Sequence, residues 1–202
     1  LCILLIACLL HRRFPFILPF GFLLSGFALL VSYLGQMNPQ ITPLMPVLVS
    51  PWLSIHVSLI MMSYALLAFI MLNGILALCL RKKESENNVS GNDAIQDNRI
   101  EQLTLVSRLL LYPATFFLGA GIFLGAVWAN VSWGRYWAWD PKEVWALITF
   151  LVYGVAFHSQ SLRIFRKPLF FHIYMILAFL TVLMTYFGVN YVLGGMHSYA
   201  NA

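Results

Sequence analysis

The sequence predicts an all-α protein, a polytopic transmembrane helix bundle of about five full spans plus a partial first one, with a tryptophan-rich loop on its outer face. Three observations predict it. Hydrophobic residues make up 61% of the 202-residue chain and charged residues only 9%, where a soluble domain carries roughly 25% charged residues. The apolar residues fall into runs that reach the roughly 20 residues a spanning helix needs. The cations collect between alternate runs, as the positive-inside rule requires.

Taken in order, residues 1–10 are apolar but too short to span, and read as the end of a truncated helix. The chain begins at Leu1 rather than Met, so a fragment or one part of a longer polypeptide is expected. His11-Arg12-Arg13 closes this run with no small-residue cleavage site, so no cleavable signal peptide is read here. Residues 14–35 form a full span. Residues 36–53 hold Pro39, Pro43, Pro46 and Pro51 and read as a connecting segment along the interface. Spans follow at 54–80 and 109–130. Between them, residues 81–108 carry Glu84, Ser85, Glu86, Asn87, Asn88 and Gly91 and read as a solvated cytoplasmic linker. Two more spans, 144–162 and 169–192, complete the set. With no soluble domain and no clear internal repeat, residues 1–202 read as a single transmembrane domain.

Placing Arg12 and Arg13 in the cytoplasm and alternating the spans also puts Arg81, Lys82, Lys83, Arg99, Arg108, Arg163, Arg166 and Lys167 on that side. Only Arg135 and Lys142 of the 12 cations then fall outside. The net charge of +5 therefore reports membrane orientation and gives no reason to expect nucleic acid. Cys2, Cys8 and Cys79 all lie in apolar runs without a Cys-x-x-Cys pair, against both a thiol–disulfide carrier and a disulfide framework.

The densest chemistry lies in residues 128–145, above all in Trp133-Gly134-Arg135-Tyr136-Trp137-Ala138-Trp139-Asp140-Pro141-Lys142-Glu143-Val144-Trp145. Asp suits an N-cap, Pro the first helical position, and Glu three residues after the cap completes a capping box, so Asp140 and Glu143 are expected to start a helix. The free N–H groups of that helix start, with Arg135 and Lys142 beside it, could also hold a carboxylate. Tryptophan and tyrosine gather at membrane interfaces as anchors. A flat apolar ligand would want the same side chains as a platform, and composition leaves both readings open.

Five histidines matter because ionisable groups in or beside spans are costly and often functional. His56 opens the 54–80 span at its outer end, and His197 follows the last span behind Gly194-Gly195, also outside. Two imidazoles beside an aromatic plate suit six-coordinate haem iron, one from each side, although two unrelated interfacial histidines would look the same. His158 sits well inside its span, in the cytoplasmic half, either bonded to a neighbouring helix or on a route through the membrane. His172 and His11 read as interfacial.

The run from Trp133 through Trp137, Trp139, Asp140 and Trp145 to Thr149, followed by Tyr153 and His158, closely resembles the "WWD" signature of haem-handling membrane proteins. Within that superfamily it is most similar to the CcsA (ResC) branch of cytochrome c biogenesis, which works with CcsB (ResB). The resemblance runs from about Pro51 to His197, so the chain has the character of a CcsA or of the C-terminal part of a CcsB–CcsA fusion.

This resemblance implies a set of roles. His56 and His197 match the two outer-face histidines that ligate haem iron, and count as both metal ligands and catalytic residues. His158 matches a histidine assigned to a haem site inside the membrane, whose partner ligand belongs to the CcsB portion. Trp133, Gly134, Arg135, Tyr136, Trp137, Trp139, Asp140, Lys142 and Trp145 fall on the segment that binds the porphyrin. The implied substrate is haem b, bis-histidine ligated. The implied partners are a CcsB (ResB)-like membrane protein, apocytochrome c and the lipid membrane, with no nucleic acid. The implied activity is a cytochrome c synthase, or haem lyase, that moves haem outward and joins it to Cys-x-x-Cys-His. The membrane would be a bacterial cytoplasmic membrane or a thylakoid, with the WWD loop, His56 and His197 on the periplasmic or lumenal face. Two alternatives stand beside it: a module that passes haem to a separate chaperone, and a transporter that uses no haem and keeps its tryptophans as anchors.

Overall fold

The computed structural model describes residues 21–22, 25–26, 51–87, 93–158 and 161–193, with the backbone alone for 82–87 and 93–96. The chain groups into two compact units, Leu1–Val49 with Ala202, and Ser50–Asn201. In the first, residues 21–22 and 25–26 are helical. The partial run at 1–10 and the expected span at 14–35 otherwise lie outside the described residues.

The second unit is built from helices, with no strand among the described residues. Helix α1 (Pro51–Asn87) has 37 residues and α2 (Asp93–Trp133) has 41. At roughly 1.5 Å per residue, each is longer than the ~30 Å hydrocarbon core of a bilayer. Proline at position 51 suits the start of α1, where its missing N–H has no partner to lose. Helix α3 (Pro141–Val155) tightens into a 3-10 turn at Ala156–His158, and a second such turn spans Arg163–Arg166. Helix α4 (Pro168–Leu183) then runs straight into a π-helical stretch, Met184–Leu193.

Cross-helix contacts set the topology. Ser63 Oγ donates to the Ala114 carbonyl at 2.7 Å, and Asn73 Nδ2 to Ser107 Oγ at 3.3 Å, so α1 and α2 are antiparallel. Tyr112 packs on Phe157 with centroids 5.0 Å apart, and Gly119 faces Phe150, so α3 lies antiparallel to α2. Tyr174 Oη donates to the Val152 carbonyl at 2.7 Å, and the Thr149 and Thr185 hydroxyls sit 3.2 Å apart, which runs α4 back along α3. Gly74 of α1 lies against the His172 carbonyl and closes the ring of four. The result is an up-down-up-down bundle.

Leu67, Ile70, Leu103, Val106, Leu118 and Met175 are buried in its core. Phe116 and Phe123, each 69% exposed, point outward. In lipid the core gains little from hiding apolar surface, because hydrocarbon is as apolar as leucine; close packing and interhelical hydrogen bonds hold the helices instead. Among the described residues three helices are long and apolar enough to cross a membrane: Pro51–Arg81, Asp97–Trp133 and Pro168–Leu193. They agree with the spans read at 54–80, 109–130 and 169–192, and the protein is an all-α membrane helix bundle.

Two expectations need adjustment. The 144–162 span gives 15 α-helical residues from Pro141 and then a 3-10 turn, shorter than the other three. The stretch 81–108, read as a solvated linker, is helical over 81–87 and 93–108, and Leu103, Thr104, Val106 and Ser107 are buried. Its polar residues mislead because α2 carries them on a helix whose other side packs against α1 and α4.

Candidate functional site

The loop between α2 and α3 is held by local geometry at both ends. Helix α2 stops at Trp133, and Gly134 follows with φ of 73°, a left-handed conformation that glycine adopts without a Cβ clash. Its N–H still donates to the Asn130 carbonyl at 2.9 Å. At the other end Asp140 caps α3, with the expected capping box closed. Glu143 Oε2 accepts from the N–H groups of Ala138, at 2.8 Å, and Asp140, at 3.2 Å. Both carboxylates therefore have structural tasks, and Asp140 is buried. Trp139, just before the cap, has φ of 57°, a strained value for a residue with a side chain. It is 74% exposed and packs edge-on against Trp137.

A cavity opens beneath this loop at the end of the bundle where α1 begins and α2 ends. His56 and Tyr64 line it from α1, Gly125 and Trp128 from α2, Tyr136 and Trp137 from the loop. Lys142 and Glu143 contribute from α3, Thr185 and Tyr186 from the π-helical stretch. Tyr64 is hydrogen-bonded to Thr185 beneath the cavity. The wall is mostly aromatic and aliphatic, with one imidazole, one ammonium and the Glu143 carboxylate.

His56 is anchored from behind. Its Nδ1 lies 2.7 Å from the Gly121 carbonyl oxygen, which can only accept, so Nδ1 carries the proton and Nε2 carries the lone pair. That tautomer offers Nε2 as the donor atom to a metal. Lys142 Nζ donates to Asn190 Oδ1 at 2.9 Å, and Asn190 Nδ2 donates to the Tyr186 carbonyl at 2.7 Å. Burial pushes the Lys142 ammonium below the usual lysine range, with the Asp140 carboxylate partly opposing the shift.

Of the sequence-predicted residues, His56, Tyr136, Trp137 and Lys142 meet at this cavity. Trp133 packs edge-on against Trp128, with centroids 5.0 Å apart, and so backs the wall from behind. Gly134 shapes the turn, Asp140 caps the helix, and Arg135 is exposed. Trp139 and Trp145 are not on the cavity wall. His197 lies outside the described residues. His158 sits at the far end of α3, exposed on its 3-10 turn, with Nδ1 3.2 Å from the Gly154 carbonyl.

His172 departs from its interfacial reading: it is 0% exposed and lies 2.9 Å through Nε2 from Thr104 Oγ1. Although it opens α4, α1 and α2 both extend past it and seal it. Sequence reasoning missed Tyr64, Gly125, Trp128, Thr185 and Tyr186. Tyr64 carried a signal, lying eight residues after His56 and so near the same face of α1. Among the described residues no group of three His, Cys, Asp or Glu side chains is placed to hold a bare metal ion. One imidazole beside aromatic walls instead fits a metal that arrives within its own macrocycle.

Comparison with known proteins agrees with the motif. The family described as Cytochrome C assembly protein matches residues 1–197. Protein NrfI of Wolinella succinogenes is 40% identical over 194 residues, which is 96% of this chain and 21% of that protein. The cytochrome c biogenesis protein CcsA of Chlamydomonas reinhardtii is 39% identical over 185 residues, 91% of this chain and 50% of the relative. The CcsA of Prochlorococcus marinus (strain NATL1A) is 35% identical over 208 residues, 90% and 64% respectively. The chain thus spans about a fifth of the Wolinella protein and half of the Chlamydomonas one. On this match the chain belongs to the cytochrome c assembly protein family, as a CcsA-type member.

Proposed function

We propose that this chain acts in cytochrome c maturation by presenting haem b at the outer membrane face for covalent attachment to Cys-x-x-Cys-His of apocytochrome c, as the CcsA part of a CcsB–CcsA cytochrome c synthase. One observation carries the reading: His56, from the first turns of α1, lines one cavity with Tyr136 and Trp137, from the loop before α3, and Lys142, from the first turn of α3, although it is far from them in sequence. The family match and the names of the relatives support the process.

In this reading His56 supplies one axial ligand through Nε2 and His197 the other. Tyr136, Trp137 and Trp128 cover the porphyrin by stacking and shape. Lys142, half-buried and charged, meets a propionate carboxylate. The propionate role thus falls to Lys142 rather than to the exposed Arg135. His158, exposed near the inner end of α3, is the ligand left for an inner site completed by a CcsB-like partner. The connection holding Arg163, Arg166 and Lys167 lies at the bundle end opposite Lys142, which supports the loop facing the periplasm or a thylakoid lumen.

Thioether formation adds each thiol S–H across a vinyl C=C, sulfur to one carbon and hydrogen to the other, so atoms balance without an external oxidant. The carboxylate on the cavity wall, Glu143, is engaged by the Ala138 and Asp140 N–H groups, so no acid or base is assigned for that addition. The contribution of this chain is therefore orientation, holding the vinyl edges where the acceptor's cysteines arrive.

The test is the absorption spectrum of the detergent-purified protein co-expressed with a CcsB-like partner. Wild type should show a low-spin bis-histidine spectrum, weakened in His56→Gly and in His197→Gly and restored in each by imidazole. A colourless wild type, or spectra and cytochrome c assembly unaffected by either change, would overturn the proposal.

A further inference from the structure

Two glycines of α2, Gly121 and Gly125, lie one helical turn apart and face α1 where it carries His56 and Ile60, also four residues apart. Small residues at this spacing let membrane helices approach closely. Here the approach is specific. A Cβ on Gly125 would stand 2.6 Å from His56 Cε1 and 2.8 Å from its Nδ1. A Cβ on Gly121 would stand 2.6 Å from Ile60 Cδ1. The imidazole therefore lies directly on the backbone of α2, in a notch that any larger residue at 125 would fill.

The same close approach makes the 2.7 Å hydrogen bond between His56 Nδ1 and the Gly121 carbonyl. A carbonyl within a helix is as fixed as the helix itself, so it determines both which nitrogen is protonated and the plane in which the ring lies. Hydrogen-bonded partners of this kind orient metal-binding histidines and raise their basicity.

We infer that the Gly121–Gly125 notch is the positioning element for His56: Gly125 makes room for the ring, and the Gly121 carbonyl locks the tautomer that leaves Nε2 as the ligand atom. This rests on the reading of His56 as a haem ligand and adds which part of the chain prepares it. The two glycines are positioning residues; neither has a side chain to touch the substrate.

The test compares Gly125→Ala with Gly119→Ala in the complex with the CcsB-like partner. Gly119 lies on the same helix, and its added Cβ would come within 3.0 Å of the Phe150 ring, not of His56. Gly125→Ala should weaken the low-spin spectrum, as His56→Gly does, and regain it with imidazole, while Gly119→Ala keeps it in full. A second measurement needs no haem. The clash at Gly125 is with His56 alone, so the loss of thermal stability caused by Gly125→Ala should vanish in the His56→Gly background. Retention of the spectrum by Gly125→Ala, equal loss in Gly119→Ala, or a stability loss that persists in the double variant would each overturn the inference. If the spectrum weakens in His56→Gly but not in Gly125→Ala, the notch fails and the ligand assignment stands. If His56→Gly leaves the spectrum intact, the ligand assignment fails and takes the notch with it.

Discussion

Two histidines bonded across helices, His56 and His172, lie near opposite ends of the bundle and differ in what lies beside them. His56 gives its Nδ1 proton to a backbone carbonyl and lines a cavity under the tryptophan loop. His172 takes the other tautomer. Thr104 spends its hydroxyl hydrogen on the Ile100 carbonyl at 2.8 Å, so its oxygen accepts from His172 Nε2–H. The lone pair of His172 then falls on Nδ1, which is buried with no hydrogen-bond partner among the described residues. A histidine on an open wall with its lone pair on Nε2 can take a ligand. One sealed among three helices, bonded to Thr104 and with its backbone against Gly74, ties the inner end together.

Exchanging the two should separate these roles most sharply. His56→Gly should weaken the haem spectrum with little loss of fold, and imidazole should bring it back. His172→Ala should instead lower thermal stability by roughly 2–5 kcal/mol, the range for emptying a well-packed core site, and imidazole should not restore it. Rescue of the second variant, or its failure to destabilise, would erase the distinction.

The tryptophans offer a second contrast within one loop. Trp137→Ala removes a cavity wall and should reduce haem occupancy by about tenfold, in line with a lost aromatic contact of about 1.4 kcal/mol. Trp139→Gly removes an exposed ring at φ of 57° and should raise thermal stability by about 1 kcal/mol, because glycine relieves the left-handed backbone. Equal effects on haem occupancy would mean the whole loop acts as a platform, as its composition also allows.

A smaller effect concerns charge. Lys142 has its pKa lowered by burial, so it loses its proton at lower pH than an exposed lysine. As pH rises through that lowered value, attraction for a propionate should fall, and a porphyrin titration should show affinity dropping before the ordinary lysine range is reached. Lys142→Gln should weaken binding at neutral pH and flatten the alkaline decline. Asp140→Ala should cost about 1 kcal/mol of stability from the lost cap, with the cavity lining unchanged.

How much was legible in the sequence follows from how far each signal reaches along the chain. Hydropathy acts over a window of about 20 residues, and the three long spans were readable from it. The capping box needs four consecutive residues, and Asp140-Pro141-Lys142-Glu143 formed it as read. The tryptophan motif was dense enough to point to its family. The same local view made residues 93–108 look like a linker, because their polar side chains dominate any short window while their buried side shows only once α1 and α4 are in place. It also made His172 look interfacial, since nothing nearby in sequence shows that two other helices overshoot it.

The sequence by itself determined that this is a helical membrane protein, where its long helices lie, how α3 begins and which loop concentrates the aromatic residues. These depend on neighbours along the chain. The tertiary structure alone decided that Trp137 and Tyr136 line a cavity while Trp139 does not, that Tyr64, Trp128 and Thr185 join them, and that Gly121 and Gly125 hold His56. Each of those facts is a contact between helices. In a membrane such contacts come from close packing and hydrogen bonds rather than from burial of apolar surface, so hydropathy carries almost no record of them.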